Sequence, residues 1–282
     1  MIAKTIKKIE LLWFHYLLNL LLLIFAVFMV LPFVWMFSTS LRLPIESFTL
    51  PPQWIPQKVT FENYTRVFTL VPFFDFFWNS LFVASVTTAG QLLTCSLAAY
   101  SFARLHFPGK NFVFILLMSS LMVPGYMTIV PVFAIIRFLN LADTLWALIF
   151  PALTSAFGIF LLRQFFMTIP LDLEDAARID GANPFQIYTH VMLPLGMPAL
   201  SVLAIFTFNG NWNDFFRPLI FLKTWTKFTL PLGLVTLRGV EGTGSVSVVM
   251  AGVTLSVIPV LIIFLIAQRY LIEGITLTGL KG

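Results

Sequence analysis

The chain has 282 residues, 59% hydrophobic and 10% charged, with a mean hydropathy of +0.94. A water-soluble domain carries about 25% charged residues, so most of this surface is not built to face water. The net charge of +5 is thinly spread and Cys95 is the single cysteine. The first excludes the dense basic stripe of a nucleic-acid-binding protein, the second an intrachain disulfide.

Six uncharged runs follow one another at 16–41, 76–103, 111–136, 144–162, 181–213 and 242–268. A bilayer span takes about 20 apolar residues, and each run supplies one. Residues 1–10 are short and basic. The first apolar stretch, 13–37, is too long for the core of a cleaved signal peptide and is predicted to be a retained span. The connection 38–75 is broken by Pro44, Pro51, Pro52, Pro56 and Pro72; its Trp54, Phe61, Tyr64 and Phe68 are expected to pack on a partner or on span ends. Spans are predicted at 78–102, at 112–136 with Pro124-Gly125 and Pro131 inside it, at 145–166, at 195–216 and at 247–267. Cys95 falls within the second and is expected to be buried. With the N-terminus inside, nine basic residues lie inside and eight outside, so orientation rests on Lys4, Lys7 and Lys8 ahead of the first span.

The polar stretch 168–194 interrupts this pattern. Pro170 suits a first helical turn, and Asp172, Glu174 and Asp175 follow where a helix dipole favours negative charge. Leu173, Ala176, Ala177 and Asp180 share a shallow face, and Glu174 with Arg178 forms an i,i+4 pair. Gly181 stops this helix, Asn183-Pro184 starts a second, and the second is expected to end ahead of Pro194. Two capped helices are more than a connector needs. From these residues alone, an ordinary amphipathic loop and a docking element stand equal.

The spacing Asp175-Ala176-Ala177, three residues, Gly181, nine residues, Val191, one residue, Leu193-Pro194 resembles the EAA loop of ABC-importer permeases. Asp175 replaces the motif's glutamate and Val191 its isoleucine. Thr60 through Tyr64, Ala98-Ala99-Tyr100, Phe107 through Lys110, Trp212-Asn213-Asp214, Pro218-Leu219 and the ending from Gln268 to Gly282 extend the likeness over nearly the whole chain, toward the MalG-type permease subunit of carbohydrate importers. The resemblance implies an all-α polytopic protein of six transmembrane helices, the type I importer permease fold, with both termini cytoplasmic, in a bacterial or archaeal cytoplasmic membrane. It divides the chain into residues 1–76, with the first helix and a long external loop, a core of five helices over 77–270, and a Gly-rich tail over 271–282.

The implied function is that of a transport subunit for a sugar or oligosaccharide, with glycerol-3-phosphate also within the family's range. It forms half of the translocation path with a homologous second permease. An external substrate-binding protein delivers the cargo, and two cytoplasmic ATPases hold ATP and Mg. The coupling residues are Glu174, Asp175, Ala176, Ala177, Arg178, Asp180, Gly181, Leu193 and Pro194, with either Asp175 or Glu174 meeting an arginine of the ATPase. Gly274, Gly279, Lys281 and Gly282 would let the tail reach the ATPase dimer.

Asn209, Trp212, Asn213 and Phe216 are read as one face of the fifth span. They suit either a sugar path, by amides beside an aromatic platform, or inter-helical hydrogen bonding. Asp214 is expected at the interface. His15, His106 and His190 have no metal-site spacing, and no nucleotide-binding or hydrolase motif occurs, so no catalytic residue, metal or bound cofactor is expected on this chain. The alternative, an ATP-independent secondary transporter, would carry ionisable residues within its spans, and these runs are nearly free of them.

Overall fold

A computed structural model describes residues 2–46, 54–239 and 244–279. Among them every regular element is helical. The chain divides into two compact units, Met1–Leu70 with Leu237–Leu255, and Val71–Thr236 with Ser256–Gly282.

In the first unit, α1 (Ile2–Ser40) is unbroken despite Pro32. Its stretch Phe14–Ser40 presents apolar side chains outward almost throughout. Such a helix is stable only where its surroundings are themselves apolar. Its end is tied into the following connection. Asn63, buried on α2 (Glu62–Leu70), donates to the carbonyls of Ser40 (2.8 Å) and Arg42 (2.7 Å). Trp54 stacks edge-on against Trp35, the Arg42 guanidinium lies 4.6 Å from the Trp35 ring, and the Tyr64 hydroxyl meets Ser40. Trp54 and Tyr64 thus pack on the span end, while Phe61 remains two-thirds exposed.

In the second unit, α3 (Phe73–Arg104) is the central helix. The expected third span is not one helix. It breaks into α4 (Lys110–Ser119), extended by a 3-10 turn to Met122, and a second segment, Gly125–Phe138, that holds α5 (Ile129–Phe138). The two are bent by 96°. Pro124 has no N–H to continue the ladder, and its extended ψ of 129° turns the chain. The fourth span is also bent, by 41°, between Trp146–Ala152, which holds α6 (Trp146–Ile149), and α7 (Ala156–Thr168). Ser155 caps α7 by accepting from the Gly158 N–H.

After the polar stretch comes α8 (Leu171–Ile179), then a helical segment Pro184–Leu195 made of α9 (Pro184–Ile187), a π turn over Tyr188–Met192 and α10 (Leu193–Leu195). The fifth span is α11 (Met197–Trp212), bent by 76° from that segment. Next are α12 (Phe216–Phe221) and α13 (Leu230–Val235). The last helix, α14 (Val246–Gly279), continues past the expected span and takes in Gly274 and Gly279; Lys281 and Gly282 lie outside the described residues. Among the described residues, three helices are long and apolar enough to cross a membrane, and up to six spans result if each bent pair counts as one.

The main core joins α3, α7 and α11 through Cys95, Ala99, Ile159, Leu162, Phe166, Leu200 and Leu203. Gly158 permits a close approach of α7 to both neighbours. A Cβ there would lie 3.0 Å from Cys95 Sγ and 3.1 Å from a Leu203 methyl, so small residues let these backbones near each other. At the other end of the unit, Asp143 ties two connections together. Its carboxylate accepts from the N–H groups of Lys223 (2.8 Å) and Thr224 (2.9 Å), from the Thr224 hydroxyl and from Lys227 Nζ. Burial pushes this carboxyl up, but those donors outweigh it and hold it well below the ordinary carboxylate range.

Gly158→Leu should destabilise the protein by roughly 1–3 kcal/mol through overpacking, read as a lower midpoint of thermal unfolding in detergent. A carboxyl depressed on folding contributes stability above its unfolded value near 4, and this is lost as pH falls toward the folded value. Asp143→Asn should therefore unfold at a lower temperature than the parent at pH 7, and the gap should narrow below about pH 4.

Candidate functional site

The polar stretch is built as two capped helices with different environments. α8 ends in a Schellman motif. Gly181, at φ +84°, donates to the Arg178 carbonyl (3.0 Å), and Ala182 donates to that of Ala177 (2.9 Å). Asn183 and Gln186 then form a full capping box, each side chain accepting from the other's backbone N–H (2.8 and 2.9 Å). The second helix does not stop ahead of Pro194. The π turn at Tyr188–Met192 shifts the backbone register, and Pro194 enters the first turn of α10, where its missing N–H is not needed.

Ile187, Tyr188 and Met192 are buried in the main core, and the Tyr188 hydroxyl lies 2.7 Å from Ser96 Oγ on α3. α8 is the outward element. Asp172, Asp175, Ala176, Arg178 and Asp180 are exposed. So are the apolar side chains of Leu171, Leu173 and, at 87%, Ile179. Ala177 is half-buried, Leu193 is half-buried and Pro194 exposed. A groove of about 320 Å³ runs between the two helices, lined by Ala177, Gly181, Ala182, Ile187, His190 and Val191 among others.

Glu174 makes the expected i,i+4 pair with Arg178, but from inside the protein. It is fully buried, and its Oε1 lies 2.5 Å from Arg104 Nε at the end of α3, without the alignment of a hydrogen bond. Arg178 approaches Glu174 only to 3.5 Å and pairs more closely with exposed Asp175, at 2.8 Å. The reason is that a buried carboxylate needs a buried cation. Arg104 is anchored further, donating through one terminal nitrogen to the carbonyls of Phe166 (2.8 Å) and Ile169 at the end of α7. In return, Arg163 of α7 donates to the Phe102 carbonyl in the last turn of α3 (3.2 Å). Each helix thus lends an arginine to the other's C-terminal carbonyls, where a cation also complements the dipole.

The proposed face of the fifth span does not form. Trp212 is turned into the core, between Phe77 and Phe208, with its indole N–H on the Ser256 carbonyl (3.2 Å). Asn209, Asn213 and Phe216 are exposed. α11 ends at Trp212, so helical spacing no longer holds for Phe216, which meets Tyr126 instead. Asn213 donates back to Asn209 within its own helix, to both the carbonyl and the side-chain oxygen at 2.9 Å. Asp214 is half-buried and paired with Arg217 at 2.5 Å.

A polar cavity of about 320 Å³ lies beside this helix and includes Gln91, Ser155, Thr207, Asn211 and Arg217 in its lining. A chain of bonds runs through it. Gln91 donates to the Ala152 carbonyl (2.8 Å), Thr207 donates to Gln91 (2.9 Å), Asn211 donates to the Thr207 carbonyl (2.7 Å), and Arg217 donates to Asn211 (2.9 Å). Sequence reasoning missed this set. Its signals were Gln91, the lone glutamine of the uncharged second run, and Arg217 three residues after an aspartate. No cluster suited to a metal occurs among the described residues.

Long apolar helices exposed along their flanks, with a polar double-helical loop seated on their ends, define a multi-pass membrane transport subunit. The chain belongs to the family of binding-protein-dependent transport system inner membrane components, whose profile matches residues 11–276, and is thus a multi-pass protein of the cytoplasmic membrane. Relatives include the arabinooligosaccharides transport system permease protein AraQ of Bacillus subtilis, 36% identical over 80% of this chain and 81% of that one. The trehalose transport system permease protein SugB of Mycobacterium tuberculosis is 36% identical over 89% and 92%. Among solved structures, a chain of a bacterial ABC transporter that imports the acidic polysaccharide alginate superposes with a TM-score of 0.81 at 27% identity, covering 92% of this chain and 96% of that one.

Glu174→Leu should leave a buried, unpaired Arg104 and lower stability by roughly 3–5 kcal/mol. Adding Arg104→Met should restore part of that loss by removing the orphaned charge. Denaturant unfolding of the two variants in detergent checks the order; a double variant less stable than the single would contradict the pairing.

Proposed function

We propose that this chain is one permease of an ATP-driven, binding-protein-dependent importer of a sugar or oligosaccharide, coupled to a cytoplasmic ATPase through residues 168–194. The observation that carries it is the build of α8, which offers Leu171, Leu173, Ala176 and Ile179 outward while buried Glu174 fixes the same helix to α3. A helix exposed on one face and clasped on the other is suited to receive a push and pass it inward. Asp175, more exposed than its neighbour, is the carboxylate available to an ATPase arginine, and Glu174 is not. Family membership and oligosaccharide-permease relatives support the importer reading over an ATP-independent transporter.

In this reading a second, homologous permease completes the path, two ATPases hold ATP and Mg, and an external binding protein delivers the cargo. Both chain ends are cytoplasmic, on the side of the 168–194 loop. Gly274 and Gly279, with Lys281 and Gly282 beyond the described residues, would meet the ATPases. This subunit's share of the sugar path combines exposed Asn209, Asn213 and Phe216 with the cavity around Gln91 and Asn211, whose amides suit hydroxyl groups.

Ile179→Asp and Leu173→Asp change exposed side chains, so membrane insertion should persist. Uptake of labelled sugar should fall at least tenfold, and the ATPase should no longer co-purify. Uptake at the parental rate in both variants would remove the docking role from α8.

A further inference from the structure

The turn after α3 holds a cavity that nothing above uses. It measures about 520 Å³ and includes Phe102, His106, Phe107, Lys110, Phe112 and Arg163 in its lining. Three basic side chains border it and no carboxylate does. Arg104, outside the lining, is already paired with Glu174. Lys110 donates to the Leu105 carbonyl (2.8 Å), and Arg163 uses Nε on Phe102 while its carbon centre sits 4.2 Å from the Phe114 ring. An ammonium has three donors and a guanidinium five, so most remain without a protein acceptor among the described residues, as does His106. The same cavity borders the start of α4, a ten-residue helix capped by Gly109, which has no side chain to accept from its first N–H groups.

A second observation gives the ligand its shape. From the cavity, α4 exposes Phe112 (71%), Ile115 (64%) and Leu116 (62%) at i, i+3 and i+4, an apolar stripe leading away from the charges. We propose that this cavity binds the phosphate headgroup of an anionic phospholipid, with an acyl chain laid along the α4 stripe. Basic recesses between membrane helices hold such headgroups, and the stripe distinguishes a lipid from free phosphate, which would have no use for it.

The test uses the full-length chain in nondenaturing detergent. Native mass spectrometry measures retention of phosphatidylglycerol against phosphatidylcholine, with inorganic phosphate added in a parallel arm. The parent chain should prefer phosphatidylglycerol. His106→Glu, at an exposed position, and Lys110→Gln should each weaken that preference about fivefold or more, whereas Arg137→Glu, at the far end of α5, should leave it unchanged. Equal retention of both lipids by the parent would overturn the proposal, as would an unchanged preference in both cavity variants. Full competition by millimolar inorganic phosphate would also overturn it, by assigning the cavity to the free ion. If Lys110→Gln fails to insert, His106→Glu decides alone.

Discussion

The contact on which the second unit depends is the meeting of Arg104, Glu174 and the end of α7. Two long helices finish side by side, and each leaves carbonyls without a helical partner. In an apolar setting those groups need donors, and water is scarce. The chain answers by exchanging arginines, Arg104 onto Phe166 and Ile169, Arg163 onto Phe102. Glu174 then neutralises one of the two. That places a charge of α8 inside the bundle and ties this helix to the core, while most of its other residues stay outside.

Much of this was legible in the sequence, and the failures have physical causes. Long uncharged runs located the spans because length and hydropathy are local properties. Gly181 and Asn183 were correctly read as stop and start because capping chemistry is local as well. Glu174 reaches Arg178 as its spacing predicts, but its burial against Arg104 was not foreseen. Helical spacing puts those two within reach, but it carries no information on Arg104, seventy positions earlier. Trp212 was assigned to a face with Phe216 on the assumption of a continuous helix, and the helix ends between them. The break near Pro124 was marked by its residues; the angle was not, since a bend of 96° is set by what the two halves pack against.

The polar interior follows the same division. Asn209 and Asn213 draw attention in the sequence, yet they bond to one another within a helix. An amide that does cross between helices is Gln91, which binds both the Ala152 carbonyl and Thr207. In a low-dielectric interior an unpaired amide is costly, so the chain of Gln91, Thr207, Asn211 and Arg217 fixes the relative register of α3 and α11. It also collects donors and acceptors beside a cavity. One set of bonds therefore serves cohesion and leaves a hydrophilic wall.

The bend between Pro184–Leu195 and Met197–Trp212 has a mechanical meaning. At 76° the two axes are close to perpendicular, so a displacement along the shorter one reaches the longer one almost wholly as a sideways force at its end. A rod loaded in that way tilts; it does not slide. With Tyr188 and Met192 embedded beside α3, a push on the loop, in the proposed coupling, would swing the opposite end of α11, where Asn211 and Trp212 lie.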